Sequence, residues 1–353
     1  MSATRSALVL LLVCGMGACG SAPEPAVGRT VSADTVNIEG AGATFPYPVY
    51  TRWFSRFGDE AGVRIRYRSI GSGAGVRALL GDSVDFAATD APLDTAERRR
   101  FGSRTIRQVP LVVGGAAVTY HIPSLPRQLR LDGETLADIF LGRITRWDDA
   151  RLVSLNPDVS LPREVIRVIT RADTSGTSWI LTDYLTRLSP AWAAGPGRSK
   201  FPRWPVGLGA RGNEGVAAEI KVTAFSIGVV EAVYAMQNRL QSARVRNHAG
   251  AWVTPQTGAL RAAANAMLSS MDDTVEFATS ISDAPGEASY PIASLSWLIV
   301  PTQGRDTTHI RVMHEFVRWA LARGEDDALA LGYAPLPEAM RETLLRAWSI
   351  PSR

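Results

Sequence analysis

The hydrophobic positions of this chain repeat with two periods that take turns along it. Val63 to Ile70 (VRIRYRSI) alternates apolar residues with arginines, the period of a strand with one wet face. Before it lies a helical pattern with Val49, Trp53, Phe54 and Phe57 on one side, led in by the extended segment Val36 to Glu39 and the turn GAGATFP. After it, Gly71-Ser72-Gly73-Ala74-Gly75 opens a short helix, VRALL, and Val84 to Ala88 reads as a buried strand ending at Thr89-Asp90-Ala91-Pro92. This strand–helix–strand rhythm predicts a largely parallel sheet with helices on its faces.

The rhythm continues. Pro110 to Ile122 (PLVVGGAAVTYHI) is a long apolar extended run, and Leu131 to Leu141 is a helix with Asp132 as its N-cap. Val165 to Thr170 reads as a strand, and Thr177 to Leu188 as a helix stopped at Pro190, with Ile180, Tyr184 and Leu188 on one face. From Leu188 to Gly215 the chain is rich in Pro, Gly and Trp and is expected to be irregular. A helix near Val216 to Lys221, a strand at Phe225 to Val230 and a returning strand at Pro291 to Pro301 follow. Amphipathic helices around His309 to Arg323 and Pro337 to Trp348 close the chain.

The N-terminus departs from this pattern. Arg5 precedes a short apolar run from Ala7 to Val13, too short to span a bilayer, which reads as a secretory signal. Met16-Gly17-Ala18-Cys19 resembles a bacterial lipobox, so residues 1–18 are expected to be a signal peptide and Cys19 a lipidation site; a plain signal peptide cut nearby is the alternative. Cys14 would leave with the signal, so no disulfide or cysteine metal site is expected within the mature chain. Residues 19–36 lack periodicity and suit a flexible lipidated tether.

Composition narrows the function classes. At 353 residues, 46% hydrophobic and 20% charged, the chain has room for two globular domains. The net charge of +4 is mild and carried almost wholly by arginine; Lys200 and Lys221 are the only lysines. No basic run interleaved with aromatics appears, so no nucleic-acid partner is expected. His121, His248, His309 and His314 are scattered without ligand spacing, and no metal cluster or nucleophile elbow is seen, so neither metal, cofactor nor catalysis is expected. Gly207-Leu208-Gly209-Ala210-Arg211-Gly212 matches the dinucleotide-binding pattern, with Glu231 at the ribose distance, but PRWPV in front of it argues against the strand that motif needs.

The chemistry concentrates elsewhere. Gly40 to Phe45, Ser69 to Gly75 and Arg171 to Ser178 (RADTSGTS) each place small hydroxyl or glycine residues between a strand and a helix. A helix N-terminus has unsatisfied N–H groups and the positive end of the macrodipole, so it holds anions readily. Any one of these turns could be only a cap. Three in one chain, with Arg171 beside the last, predict an anion site at the carboxyl ends of the strands.

Six co-linear motifs carry a resemblance: GAGATFPYPVY, YRSIGSGAGV, VDFAATDAPL, LDGETLADIFLGRITRWDD, RADTSGTS and WPVGLGARGNEGV. Together they resemble the periplasmic phosphate-binding component of high-affinity phosphate ABC transporters, from about residue 37 to the end. The resemblance implies an α/β, type II periplasmic-binding-protein fold: two α/β domains joined by two crossing hinge segments, with dehydrated phosphate trapped in the cleft between them. It implies residues 37–112 and 291–353 as domain I and 113–290 as domain II. The implied ligand contacts are Thr44, Phe45, Ser72 and Asp90 from one domain and Arg171, Ser175, Gly176 and Thr177 from the other. Phe45 and Gly176 would act through backbone N–H groups, and Asp173 would orient the arginine. Two alternatives stand beside these roles: Asp90 could instead cap the Ala91-Pro92 turn, and Arg171 could pair with Asp173 purely as structure.

The same resemblance implies inorganic phosphate as ligand and an ABC permease with its ATPase as partner. It further implies a monomer outside the cytoplasm, which the lipobox-like Met16-Gly17-Ala18-Cys19 would anchor to a membrane by lipid. The alternatives are a receptor for another tetrahedral oxyanion, a phosphate sensor, or a hydrolase of phosphate esters. Ala224 to Ala235 departs from the family pattern at two aromatic positions and a glycine, and is expected to affect packing or closure while leaving the ligand chemistry untouched.

Overall fold

The computed structural model describes residues 35–270, 276–303 and 306–348. The leader, Cys19 and nearly all of the tether lie outside them. The strands are β1 (Asn37–Gly42), β2 (Arg64–Ser69), β3 (Phe86–Thr89), β4 (Ile106–His121), β5 (Arg130–Leu131) and β6 (Arg167–Arg171). They continue with β7 (Leu208–Ala210), β8 (Ser226–Glu231), β9 (Gln241–Ser242), β10 (Arg244–Arg246), β11 (Trp252–Val253) and β12 (Ala293–Pro301).

The principal sheet runs in the order β2-β1-β3-β12-β4-β8-β6-β7, with β9 beside β4. β1 lies parallel to β2 and β3, and β6 parallel to β7 and β8. The parallel groups are joined by antiparallel partners, and β4 is the common one. Its residues Ile106 to Gly115 pair with β12, and Ala116 to His121 pair with β8. One continuous 16-residue strand therefore belongs to both halves of the sheet. The β12 register shifts between Ser296 and Trp297 opposite Pro110, which has no N–H to give the ladder. A small second sheet, β11-β10-β5, lies apart.

The helices cover the faces as their periodicity requires. Tyr47–Ala61 starts with Pro48 in its first turn, ends at Gly62 with φ 69°, and buries Val49, Tyr50, Trp53, Phe54 and Phe57. Its Phe54 ring lies 4.8 Å from that of Phe316 on helix Thr307–Arg323. Each such burial is worth about 1.5–3 kcal/mol, so Phe54→Ala would loosen this layer first. Asp132 caps Gly133–Phe140 as expected, accepting the Thr135 N–H at 2.9 Å.

Other boundaries differ. The segment Leu188 to Gly215 is less irregular than expected: Pro190 opens a short helix, Pro190–Ala194, because proline suits a first helical turn, and Leu208–Ala210 adds a three-residue edge strand. The helix expected near Val216 begins earlier, at Gly212, and ends at Val222. Among the described residues no helix is long and apolar enough to cross a membrane.

Candidate functional site

Three strand-to-helix turns converge at the carboxyl ends of the parallel strands. The first follows β1, where Thr44 and Phe45 precede helix Tyr47–Ala61. The Phe45 ring is buried against Gly114, and its carbonyl accepts the Tyr333 hydroxyl at 2.6 Å. The second follows β2: Gly71, with φ 90°, places Ser72 as the first residue of helix Ser72–Leu80. The third follows β6, where Ser175 caps helix Gly176–Leu188 by accepting the Ser178 N–H at 3.1 Å. Hydroxyl capping and a free helix start coexist here, because the cap satisfies one N–H and leaves others directed outward.

The turns come from opposite ends of the sheet order, yet they touch. The Gly73 N–H donates to the Thr174 carbonyl at 3.1 Å. A Cβ on Gly176 would lie 2.5 Å from Asp90 Oδ2 and 2.7 Å from Ser72 Oγ, so only glycine allows this approach. Asn213 Nδ2, just past β7, donates to Thr44 Oγ1, just past β1, at 2.8 Å. The Lys200 ammonium pairs with Glu97 at 2.5 Å, both side chains largely buried. The sheet is curled so that its two parallel ends face each other.

Each facing wall carries a buried ionisable side chain, a carboxyl on one and a guanidinium on the other. On one, Asp90 ends β3 with 1% exposure, and Ser296 Oγ donates to its Oδ1 at 2.8 Å. Its Oδ2 faces Ser72 Oγ at 3.5 Å. The Ala91 turn is held by Thr89, whose hydroxyl donates to the Ala91 carbonyl at 3.0 Å, so the turn-capping alternative for Asp90 is not what the structure uses. Burial pushes the Asp90 carboxyl up to about 7, against the lowering effects of the Ser296 hydrogen bond, Arg171, Ser72 and Lys200.

On the other wall Arg171, 4% exposed, gives Nε and Nη2 to Asp173 at 2.7 and 2.6 Å. Its Nη1 points to Thr177 Oγ1 at 3.4 Å. Asp173 thus occupies one edge of the guanidinium and fixes its plane, leaving the other edge for a second acceptor. Burial raises the Asp173 carboxyl, but the Arg171 hydrogen bonds and charge, with the Gly212 N–H, outweigh it and hold the group below its ordinary value.

All eight expected contact residues and Asp173 therefore gather around this cleft, and Cys19 lies outside the described residues. Four neighbours were missed. Asn213 lay within WPVGLGARGNEGV, and its signal was an amide at a helix start after glycine. Ser296 was signalled by two serines spaced by one in the otherwise apolar ASLSWLIVP of a fully buried strand. Lys200 and Glu97 left no local signal. Within Ala224 to Ala235, Tyr234 donates to the Thr44 carbonyl at 2.7 Å, and the Glu231 N–H to Asn213 Oδ1 at 3.0 Å. Glu231 is fully buried and caps helix Ala232–Gln237, accepting from the Val233 N–H at 2.8 Å, rather than facing outward toward a ribose.

The PBP superfamily domain model matches residues 24–323. The phosphate-binding protein PstS of Haemophilus influenzae is 36% identical over 323 residues, covering 91% of this chain and 95% of that protein. PstS of the archaeon Methanocaldococcus jannaschii is 34% identical over 335 residues, covering 89% and 86%. The chain belongs to the PstS family of phosphate-binding proteins. Its fold also superposes on a high-affinity periplasmic phosphate-binding protein solved with phosphate, with TM-score 0.69, 22% identity, and 88% and 93% of the two chains covered.

Proposed function

We propose that this PstS-family chain captures inorganic phosphate between the two walls of its cleft and delivers it to an ABC-type permease for import. The observation that carries the reading is the convergence of one guanidinium, three turns with hydroxyls or helix-start N–H groups, and one buried carboxylate. Phosphate has four oxygens to accept these donors and, near neutral pH, at least one proton to give Asp90. Thr44, Phe45, Ser72, Ser175, Gly176 and Thr177 supply donors, Arg171 supplies paired charge-assisted bonds, and Asp90 accepts.

In this reading residues 37–112 and 291–353 form one domain and 113–290 the other. They hinge where β4 changes partner and where the chain enters β12, and the chain works as a monomer without covalent chemistry. Export and anchoring through Cys19 belong to the same reading; the intact mass of the mature protein checks them, and an unmodified N-terminus beyond Cys19 would overturn the anchor.

Titration calorimetry with phosphate, arsenate and sulfate tests the function. The expected result is tight phosphate binding, competition by arsenate and rejection of sulfate. Equal sulfate binding would favour a general oxyanion receptor. Release of product from a chromogenic phosphomonoester, with or without divalent metal, would favour a hydrolase.

A further inference from the structure

We infer that Asn213 sets the direction of the Thr44 hydroxyl hydrogen bond in the cleft, committing Thr44 to donate to the bound anion once the two walls meet. The inference rests on the phosphate reading and assigns a positioning role within it. Asn213 is fully buried at the start of helix Gly212–Val222.

Its amide orientation is determined by its surroundings. The Glu231 backbone N–H can only donate, so the atom facing it at 3.0 Å must be the carbonyl oxygen Oδ1. The Nδ2 group then faces Thr44 Oγ1 at 2.8 Å, while the Thr177 hydroxyl lies between the two ends of the amide, 3.3 Å from Nδ2 and 3.4 Å from Oδ1. The backbone N–H of Asn213 also points to Thr44 Oγ1, at 3.3 Å.

A hydroxyl has two lone pairs and one proton. Two N–H donors from Asn213 fill both lone pairs of Thr44, so its proton is all it has left to offer. A freely rotating hydroxyl could instead turn a lone pair toward an oxyanion, which repels. Asn213 removes that option. Because Thr44 follows β1 and Asn213 follows β7, the commitment exists only when the walls are in contact. The donor is thereby switched on by closure.

The test is a double-mutant cycle on phosphate affinity with Asn213→Ala, Thr44→Val and their combination, each checked for folding by circular dichroism. Each single change is expected to weaken binding about ten- to a hundredfold, the range of a lost hydrogen bond to a charged group. The double variant should be no more than about threefold weaker than Thr44→Val, because both act through one hydroxyl. Thr44→Ser, which keeps the hydroxyl, should restore the full effect of Asn213→Ala. Losses that multiply, or wild-type binding by Asn213→Ala, would overturn the inference.

If Asn213→Ala does not fold, the isosteric Asn213→Asp carries the same cycle. It replaces the donor with an acceptor that draws the Thr44 proton away from the ligand. Failure of both to fold would assign Asn213 a purely structural role. Absence of phosphate binding by the wild type would instead overturn the underlying reading, a result visible before any variant is compared.

Discussion

Asp90 and Asp173 face the same cleft and are the same residue, yet their surroundings push them in opposite directions. Asp173 has a guanidinium along its edge and a backbone N–H on one oxygen, which hold its carboxyl below its ordinary value. Asp90 has hydroxyls as its nearest partners and no direct ion pair, so burial dominates and its carboxyl rises to about 7. One aspartate is a fixture that aims a cation. The other is a charge held with little compensation, where a proton brought by the ligand would relieve it. Discrimination of this kind comes from a built-in repulsion toward ligands lacking that proton.

The comparison breaks most visibly at Asp90. At a pH well above 7, where Asp90 is ionised, a site that demands a donor from its ligand can reject an analogue lacking one by as much as about 10⁴-fold. Asp90→Asn can donate as well as accept, so the phosphate-to-sulfate preference is expected to shrink to about a hundredfold or less, with folding intact. Calorimetry with both anions reads this. A variant that discriminates as sharply as the wild type would remove Asp90 from the selectivity.

On the opposite wall, Arg171→Ala should weaken phosphate binding by about ten- to a hundredfold, corresponding to about 1.5–3 kcal/mol for a charged hydrogen bond. It also strands Asp173 without its partner, so a lowered melting temperature is expected beside the affinity loss. Normal affinity in the folded fraction would mean the arginine serves structure alone. Arg171→Lys should recover little, because a point charge cannot satisfy Asp173 on one edge and a ligand on the other.

The smallest effect is in pH. Because the Asp90 carboxyl is raised, its contribution to stability is fully present below its ordinary value of 3.8 and is lost as pH rises to about 7. The ligand-free wild type should therefore lose melting temperature across that window relative to Asp90→Asn. Sulfate rejection should relax below about 7, where the carboxyl is protonated. A flat difference between the two proteins across the window would contradict the raised carboxyl.

What the chain reveals before folding follows from the range of its signals. Apolar periodicity and turn chemistry act over a few residues, so the three strand-to-helix turns, the Asp132 cap and most strands could be read directly. The dominant misreading, an irregular Leu188 to Gly215, came from Pro and Gly marking short elements as well as loops. The pairs that complete the site act over far longer distances. Thr44 and Asn213 are 169 positions apart, and Asp90 and Ser296 are 206. No local pattern anticipates them, because they meet only through the curl of the sheet. Helix Thr257–Met267 was also missed.

The pairing of Lys200 with Glu97 has a practical consequence for a chain so short of lysine. An amine-directed reagent meets two lysine side chains, Lys221 on an exposed helix face and Lys200 between the walls. Lys221 supplies an internal clock for the reagent, and the relative labelling of Lys200 supplies a gauge. In reductive methylation read by mass spectrometry, the ratio of the two should fall when phosphate is added, turning the rarest cation in the sequence into a native reporter of how often the cleft opens.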